Sequence, residues 1–432
     1  MEEHGVQGTL ALVADLSRAD PYEHLLPADQ PVGPMEGPAD IDAVVWDIPH
    51  TIADLAYSTH SYFRYYGKFP PVIPKRLLRD YPVAANQYVL DPFAGCGTTL
   101  VEARLAGVNS IGIDINPLGA LAGRVKTWRY DPAALARAWD DLSTNAKRAI
   151  RASKPPTFVQ VPPDRQLEKW FAPVTAVHLA ALKGSLLSLP RSETREFFLL
   201  AFLAIIRRVS RAYDGEVRPH INPAKRQRDV FQAFAKKVVE MIDRARGFWA
   251  AASPDSYAQS ICGDARDMRA LLSGRDHACA LVVTHPPYLN CFDYFPVYSL
   301  ELMWARGFDE LPNGSSTQAL RHREIRAWPA TNSRLVADYF AGLTEVFRST
   351  LEILVPGGHL CVVVGDCTVK GQLVPVHLHL LRNLATLGFQ PVKIVYRTTH
   401  YGIGKYAYSS RAGYHGPAAA KRDAILILKK PP

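Results

Sequence analysis

Two stretches carry residue types that could do chemistry together. The first is Tyr88-Val-Leu-Asp-Pro-Phe-Ala-Gly-Cys-Gly-Thr-Thr. Its apolar start reads as a buried parallel strand ending at Asp91 and Pro92. Phe93 follows, and Gly95 and Gly97 let the backbone turn tightly beside a ligand. Thr98 and Thr99 can cap a helix over 98–106, whose free N–H groups face the same point. A second apolar run, Ser110 to Ile113, ends in Asp114. That acid falls 23 positions beyond Asp91 (114 − 91 = 23), where a nucleotide-binding βαβ unit holds a ribose diol. The turn is not of the pyrophosphate kind, because no third glycine follows Gly97 in register. The second stretch is His285-Pro286-Pro287-Tyr288, directly after the apolar run Cys279 to Thr284. Two prolines stiffen the turn, and a proline carbonyl can be held out toward a substrate. Neutral imidazole accepts one hydrogen bond, and Tyr288 offers a flat face.

The elements that must position these groups alternate between strand and helix. After Asp114, residues 117–127 read as a helix. Ser260 to Asp264 is a short strand ending in an acid, and Cys279 to Thr284 is the next. His359 to Val364, Pro391 to Arg397 and Ala424 to Leu428 are further strands, with a helix over Val376 to Leu387. The last two strands are joined without a helix, by a glycine-containing loop over 398–422 expected to be mobile. The expected fold is therefore α/β, a doubly wound, mostly parallel sheet ending in an antiparallel hairpin. Its strand ends place Asp91, Asp114, Asp264 and His285 on one rim, where open α/β sheets bind ligands.

Residues 131–255 are far longer than a crossover needs. They read as helices over Ala133 to Ala149, Val174 to Leu187, Glu193 to Arg208 and Val230 to Trp249. The expected organisation is a mobile arm over 1–45, a first core segment over 46–130, an inserted helical subdomain over 131–255, and a second core segment over 256–432. The insertion carries Arg207, Arg208, Arg211, Lys225, Arg226 and Arg228, a set that can meet phosphates or form a solvated face.

The glycine turn with its Asp-Pro-Phe and Thr-Thr flanks resembles motif I of S-adenosylmethionine-dependent DNA amino-methyltransferases. The Gly67-Lys68-Phe69 turn resembles motif X, which in that family closes over the methionine end of the cofactor. Asp264 resembles the motif III position at the adenine edge, and Pro-Pro-Tyr resembles motif IV. The resemblance implies a class I, Rossmann-like methyltransferase core with S-adenosylmethionine as cofactor. It implies a cofactor set of Lys68, Phe69, Asp91, Phe93, Gly95, Gly97, Thr98, Asp114 and Asp264. It also implies that His285 and the Pro286 carbonyl accept hydrogen bonds from the amino group of a flipped base, with Tyr288 stacked on that base. The family usually has Asp, Asn or Ser where this chain has His285, and Asp293 is the competing acceptor. The context Thr284-His-Pro-Pro-Tyr looks most like the cytosine-N4 branch.

Composition is ordinary for a globular chain, with 48% hydrophobic and 21% charged residues among 432. The net charge of +9 suits a polyanionic partner. The six cysteines include no Cys-x-x-Cys pair, so they read as reduced core thiols of a cytoplasmic protein, with no metal site. No run is long enough to span a bilayer. The expected partner is DNA. An adenine-N6 enzyme, an RNA or tRNA base methyltransferase and a catalytically silent nucleic-acid binder are the alternatives. A restriction or defence-system partner cannot be read from the chain.

Overall fold

The computed structural model describes residues 20–31, 41–68, 70–153, 157–274, 278–291, 293–311, 322–325, 333–370, 372–399 and 421–432. Eleven strands are formed among them. They are β1 (Asp29–Pro31), β2 (Asp42–Ile48), β3 (Gln87–Asp91), β4 (Asn109–Asp114), β5 (Ala258–Cys262), β6 (Ala278–Thr284), β7 (Leu354–Val364), β8 (Cys367–Val369), β9 (Gln372–Val374), β10 (Gln390–Thr399) and β11 (Lys421–Lys429). Nine build one sheet in the order β1-β2-β10-β11-β7-β6-β3-β4-β5, and β8 and β9 pair separately. β5, β4, β3, β6 and β7 run parallel, and β11 is antiparallel to both β7 and β10. This is the doubly wound sheet with a terminal antiparallel hairpin expected from the sequence. The order reverses between β3 and β6, the point where such sheets open a crevice.

Helices cover both faces because the central strands are apolar on both sides. Val72–Asp80 (α1) and Thr98–Leu105 (α2) share a core with Val89, Leu281, Val363 and Ile425 on one face. The helices Ser333–Ile353 and Val376–Leu387 pack on Leu90, Val282, Val362 and Leu426 on the other. Pro117–Thr127 (α3) starts with Asn116 as its N-cap, the Asn116 side chain accepting from Leu118 N–H.

The insertion is helical: α4 (Pro132–Ala152), α6 (Pro173–Leu187), α7 (Glu193–Val209) and α8 (Val230–Ala251) fall where expected, and the short α5 (Asp164–Trp170) was not expected. It is not a separate lobe, however. Phe197, Phe198, Leu199 and Phe202 of α7 share one continuous core with Tyr62, Phe63, Leu118 and Leu121 of the methyltransferase-like part. Aromatic contacts such as Tyr62–Phe197, with centroids 5.9 Å apart, cross that seam. The expected arm also ends earlier than residue 45. Asp42–Ile48 is a strand paired in parallel with β10, Asp42 opposite Lys393, and Trp46 is buried. The 398–422 loop lies mostly outside the described residues. No single described helix is long and apolar enough to cross a membrane.

Candidate active site

A cavity opens at the switch point. Tyr65, Gly67 and Lys68 line it from the segment before α1, and Pro92 to Cys96 and Thr98 from the turn after β3. Asp114, Ile115 and Asn116 come from the end of β4, Asp264 and Ala265 from beyond β5, and His285 and Pro287 from beyond β6. Asp293, Tyr294, Arg323, Glu324 and Ile325 complete the wall. A rim cavity with a mostly apolar lining and a few convergent polar groups suits a small organic ligand.

Asp114 is fixed by two backbone donors. Gly95 N–H reaches its Oδ2 at 2.7 Å and Asn116 N–H its Oδ1 at 2.8 Å. Each carboxylate oxygen keeps a second lone pair for a ligand hydroxyl. Burial pushes the Asp114 pKa up to about 6 against those two hydrogen bonds. Asn116 Nδ2 is buried with no hydrogen-bond partner among the described residues, although Asn116 lines the cavity. An unsatisfied buried amide of this kind costs about 1–3 kcal/mol, so it fits a ligand acceptor. Lys68 Nζ donates to the His60 carbonyl at 3.3 Å, and burial, with the Lys126 charge, lowers its pKa to about 8. Gly67, at φ +76°, leaves room for Tyr294, because a Cβ there would sit 2.5 Å from the Tyr294 hydroxyl.

Three residues expected to touch the cofactor are differently employed. Asp91 is fully buried and does not line the cavity. Its Oδ2 accepts from Thr99 Oγ1 at 2.6 Å, and its Oδ1 from Thr284 Oγ1 at 2.7 Å and Phe93 N–H at 3.1 Å. It therefore ties the glycine turn to the strand that carries His285. Burial nonetheless pushes its pKa up to about 6. Thr99 is spent on Asp91, and the N-cap of α2 is Gly97 itself, with no side-chain cap. Gly97 also lies off the cavity. It has φ +79°, and a Cβ there would meet Gly123 Cα at 2.7 Å, so its bareness serves the packing of α2 on α3. Asp264 lines the cavity, but its carboxylate is gripped by Arg266, at 3.0 Å to Nε and 2.6 Å to Nη2. Burial alone would raise its pKa; the Arg266 hydrogen bonds and the Arg266 and Arg323 charges outweigh that and lower it. Phe69 lies outside the described residues.

At the Pro-Pro-Tyr turn, Thr284 anchors one side to Asp91, and Tyr339 Oη donates to the Pro287 carbonyl at 2.9 Å on the other. Pro286 is buried and does not line the cavity. The Tyr288 ring, expected as an open stacking face, is only 7% exposed and packs on His285 with centroids 4.7 Å apart. A base stacking on it would have to displace that contact. Beside the turn, Glu324 accepts from Phe295 N–H at 3.0 Å, and burial pushes its pKa up to about 8. Arg323, Glu324 and Tyr294 were not expected from the sequence, since no spacing relates them to either motif.

The basic set divides in two. Arg207 is buried, its guanidinium donating to the carbonyls of Glu216 at 2.9 Å and Val217 at 3.0 Å and lying 3.6 Å from Glu301. Lys225 donates to the carbonyls of Arg207 and Ala212 and pairs with Asp214 at 2.8 Å. These two charges are committed inside the protein and are withdrawn from the expected phosphate contacts. Arg208, Arg211, Arg226 and Arg228 are exposed, Arg228 pairing with Asp214 at 2.9 Å. Among the described residues no His/Cys/Asp/Glu cluster could hold a metal, and the six cysteines form no disulfide.

The sheet and its rim cavity define a class I methyltransferase fold. The N6/N4 methyltransferase family model, described as DNA methylase, matches residues 39–118. The type II methyltransferase M.BsoBI of Geobacillus stearothermophilus is 21% identical over 468 residues, covering 87% of this chain and 86% of that protein. The type II methyltransferase M.MvaI of Kocuria varians is 25% identical over 240 residues, 53% of each chain. The rRNA methyltransferase aviRa of Streptomyces viridochromogenes overlays at a TM-score of 0.31 and 14% identity, over 88% of this chain and 93% of that one, too loosely to argue from. Residues 39–118 thus match a DNA methylase family, and most of the chain is similar to type II methyltransferases. S-adenosylmethionine is the cofactor of that family, and the cavity's carboxylate, orphan amide and ammonium suit its diol, adenine and carboxylate.

Proposed function

We propose that this chain transfers a methyl group to the exocyclic amino group of a base flipped out of duplex DNA, and that the base is cytosine, modified at N4. The observation that carries the reading is that His285 and Pro287 share one cavity with Gly95, Asp114 and Asn116. Groups able to hold a methyl donor and groups able to hold an amino acceptor thus face the same space. The choice of cytosine rests on the likeness of the Thr284-His-Pro-Pro-Tyr context to the N4 branch.

S-adenosylmethionine, when bound, supplies a methyl group on a positively charged sulfur. The chain's own residues do the rest. Asp114 accepts hydrogen bonds from the ribose hydroxyls, Asn116 donates to the adenosine part, and Lys68 meets the methionine carboxylate. Phe93, Ile115 and Ala265 exclude water around them. A base must leave the duplex to reach this depth. Neutral His285, which lines the cavity, then accepts from one of its amino N–H groups. That draws the nitrogen lone pair out of conjugation and frees it for attack. Asp293, 2% exposed and lining the same cavity, is the competing acceptor. The hydrogen bonds from Thr284 and Tyr339 keep the turn in place while the amino group is held. The exposed arginines of the 131–255 insertion contact DNA phosphates.

The test is methylation of mixed DNA and RNA pools with isotope-labelled cofactor, followed by nucleoside mass spectrometry. N4-methylcytosine from DNA is the expected product. N6-methyladenine from DNA would move the target base, and a label found only in RNA would overturn the DNA reading. Bound cofactor with no product on any pool would make the chain a silent binder.

A further inference from the structure

The loop between α7 and α8 is a built hairpin, and its place beside the cavity gives it a use that charge alone does not suggest. Ala212 bridges Ile221 in antiparallel fashion, Tyr213 N–H donates to the His220 carbonyl at 3.0 Å, and Asn222 N–H to the Arg211 carbonyl at 2.8 Å. Arg207 and Lys225 stiffen it from beneath through the Glu216, Val217 and Ala212 carbonyls. Its tip is fastened to the cavity wall. Arg64 donates to the Asp214 and Gly215 carbonyls and Tyr66 Oη to the Glu216 carbonyl, on either side of cavity-lining Tyr65. Arg218 lies 3.8 Å from Asp293, another lining residue.

Alternation along paired strands puts Arg211, Tyr213 and His220 on one face of this hairpin, opposite the buried Ala212. Tyr213 is 42% exposed, and Arg211 and His220 are exposed as well. An exposed aromatic pair beside an arginine, on a rigid mount, matches what an unstacked base and its phosphate require.

We propose that this face of the 211–222 hairpin stacks against the opened duplex next to the flipped nucleotide and holds the gap open. The proposal rests on the DNA reading above. A duplex needs such a support and a single strand does not, which separates a stacking wedge from general phosphate binding.

The experiment begins by mapping the sites that the wild-type chain methylates in plasmid DNA. A duplex carrying one such site and its isolated target strand are then compared as substrates. Tyr213→Ala with His220→Ala should lower the methylation rate on the duplex about tenfold or more, as expected for lost base stacking. The single strand should be methylated at close to the wild-type rate, and cofactor affinity and melting temperature should stay unchanged. Tyr213→Phe keeps the aromatic face and should restore the duplex rate. Equal rates of variant and wild type on the duplex would overturn the hairpin's role while leaving the DNA reading intact, as would an equal loss on both substrates. A wild-type chain that methylates no DNA, or only RNA, would overturn the DNA reading and the hairpin's role with it.

Discussion

Asp114 and Asn116 stand two residues apart and offer a ligand opposite things, an acceptor and a donor. Hydrogen bonds to a charged carboxylate contribute about 1.5–3 kcal/mol, so Asp114→Ala should weaken S-adenosylmethionine binding about tenfold or more by calorimetry. Asn116→Ala should weaken it less, because a hydrogen bond between neutral groups contributes only about 0.5–1.5 kcal/mol. Protonation bears on the same site. With its pKa raised to about 6, Asp114 is charged at pH 7.5 and becomes neutral as pH falls to 5. Cofactor affinity should fall over that window in the wild type and stay flatter in Asp114→Asn. A steep fall in both would place the titrating group elsewhere. At the turn, His285→Ser should keep activity, while His285→Ala should lose more, since one amino N–H would be left unmet in a dry site. Full activity in His285→Ala with loss in Asp293→Ala would hand the acceptor role to Asp293. Asp114, Thr98 and His285 could be read from the sequence because motif spacing fixes where a strand ends. Asn116 could not, since an Asn just before Pro117 reads as a helix cap, and it is one. Tyr294 and Glu324 reach the cavity only through tertiary packing, which leaves no local pattern.

At the level of elements, the glycine turn and the Pro-Pro-Tyr turn are joined by one carboxylate and braced by one tyrosine. Tyr339→Phe removes the hydrogen bond to the Pro287 carbonyl and that with the Leu289 backbone, a loss of about 1 kcal/mol each. It should lower kcat several-fold while cofactor affinity holds; equal losses in both would mean general loosening. Gly97→Ala should destabilise the fold whether or not cofactor is present, because the new methyl meets Gly123 backbone and φ is left-handed. A melting temperature unchanged by that substitution would remove the packing account. Behind this seam, Glu102 of α2 accepts from Tyr57 Oη at 2.8 Å and lies 2.6 Å from His60 Nε2. Burial raises Glu102 to about 7 despite the nearby Lys75 charge. A raised carboxyl favours the fold most below its unfolded value of about 4.3, and that contribution is lost as pH rises through about 7. The wild type should therefore lose melting temperature relative to Glu102→Gln between pH 5 and pH 8. The sheet and the insertion helices were legible because their apolar periods are strong. β2 was not, because the proline- and glycine-rich composition ahead of it masks the short Val-Val-Trp run. The helix Ser333–Ile353 buries Tyr339, Leu343, Val346 and Phe347 at helical spacing, a signal that motif-centred reading does not use.

For the whole molecule, the +9 charge matters through where its exposed part lies. Neutralising Arg208, Arg211 and Arg226 together should lower DNA affinity and flatten its salt dependence by about 0.9 per lost phosphate contact. An unchanged slope would mean that these arginines only keep the surface hydrated. Net charge and periodicity were visible in the sequence, whereas the internal use of Arg207 and Lys225 was not, since a run of cations does not say which of them a hairpin will bury. The pairing of β2 with β10 has its own consequence, in time. Asp42 finds Lys393 across nearly the whole chain. On a ribosome, β2 therefore emerges early with only the short β1 to pair with, and its other edge must wait until β10 has been made. The wait exposes an apolar edge that is prone to pair with other chains. Refolding from denaturant should accordingly be slow and should lose yield as protein concentration rises, a behaviour set by strand order rather than by final stability.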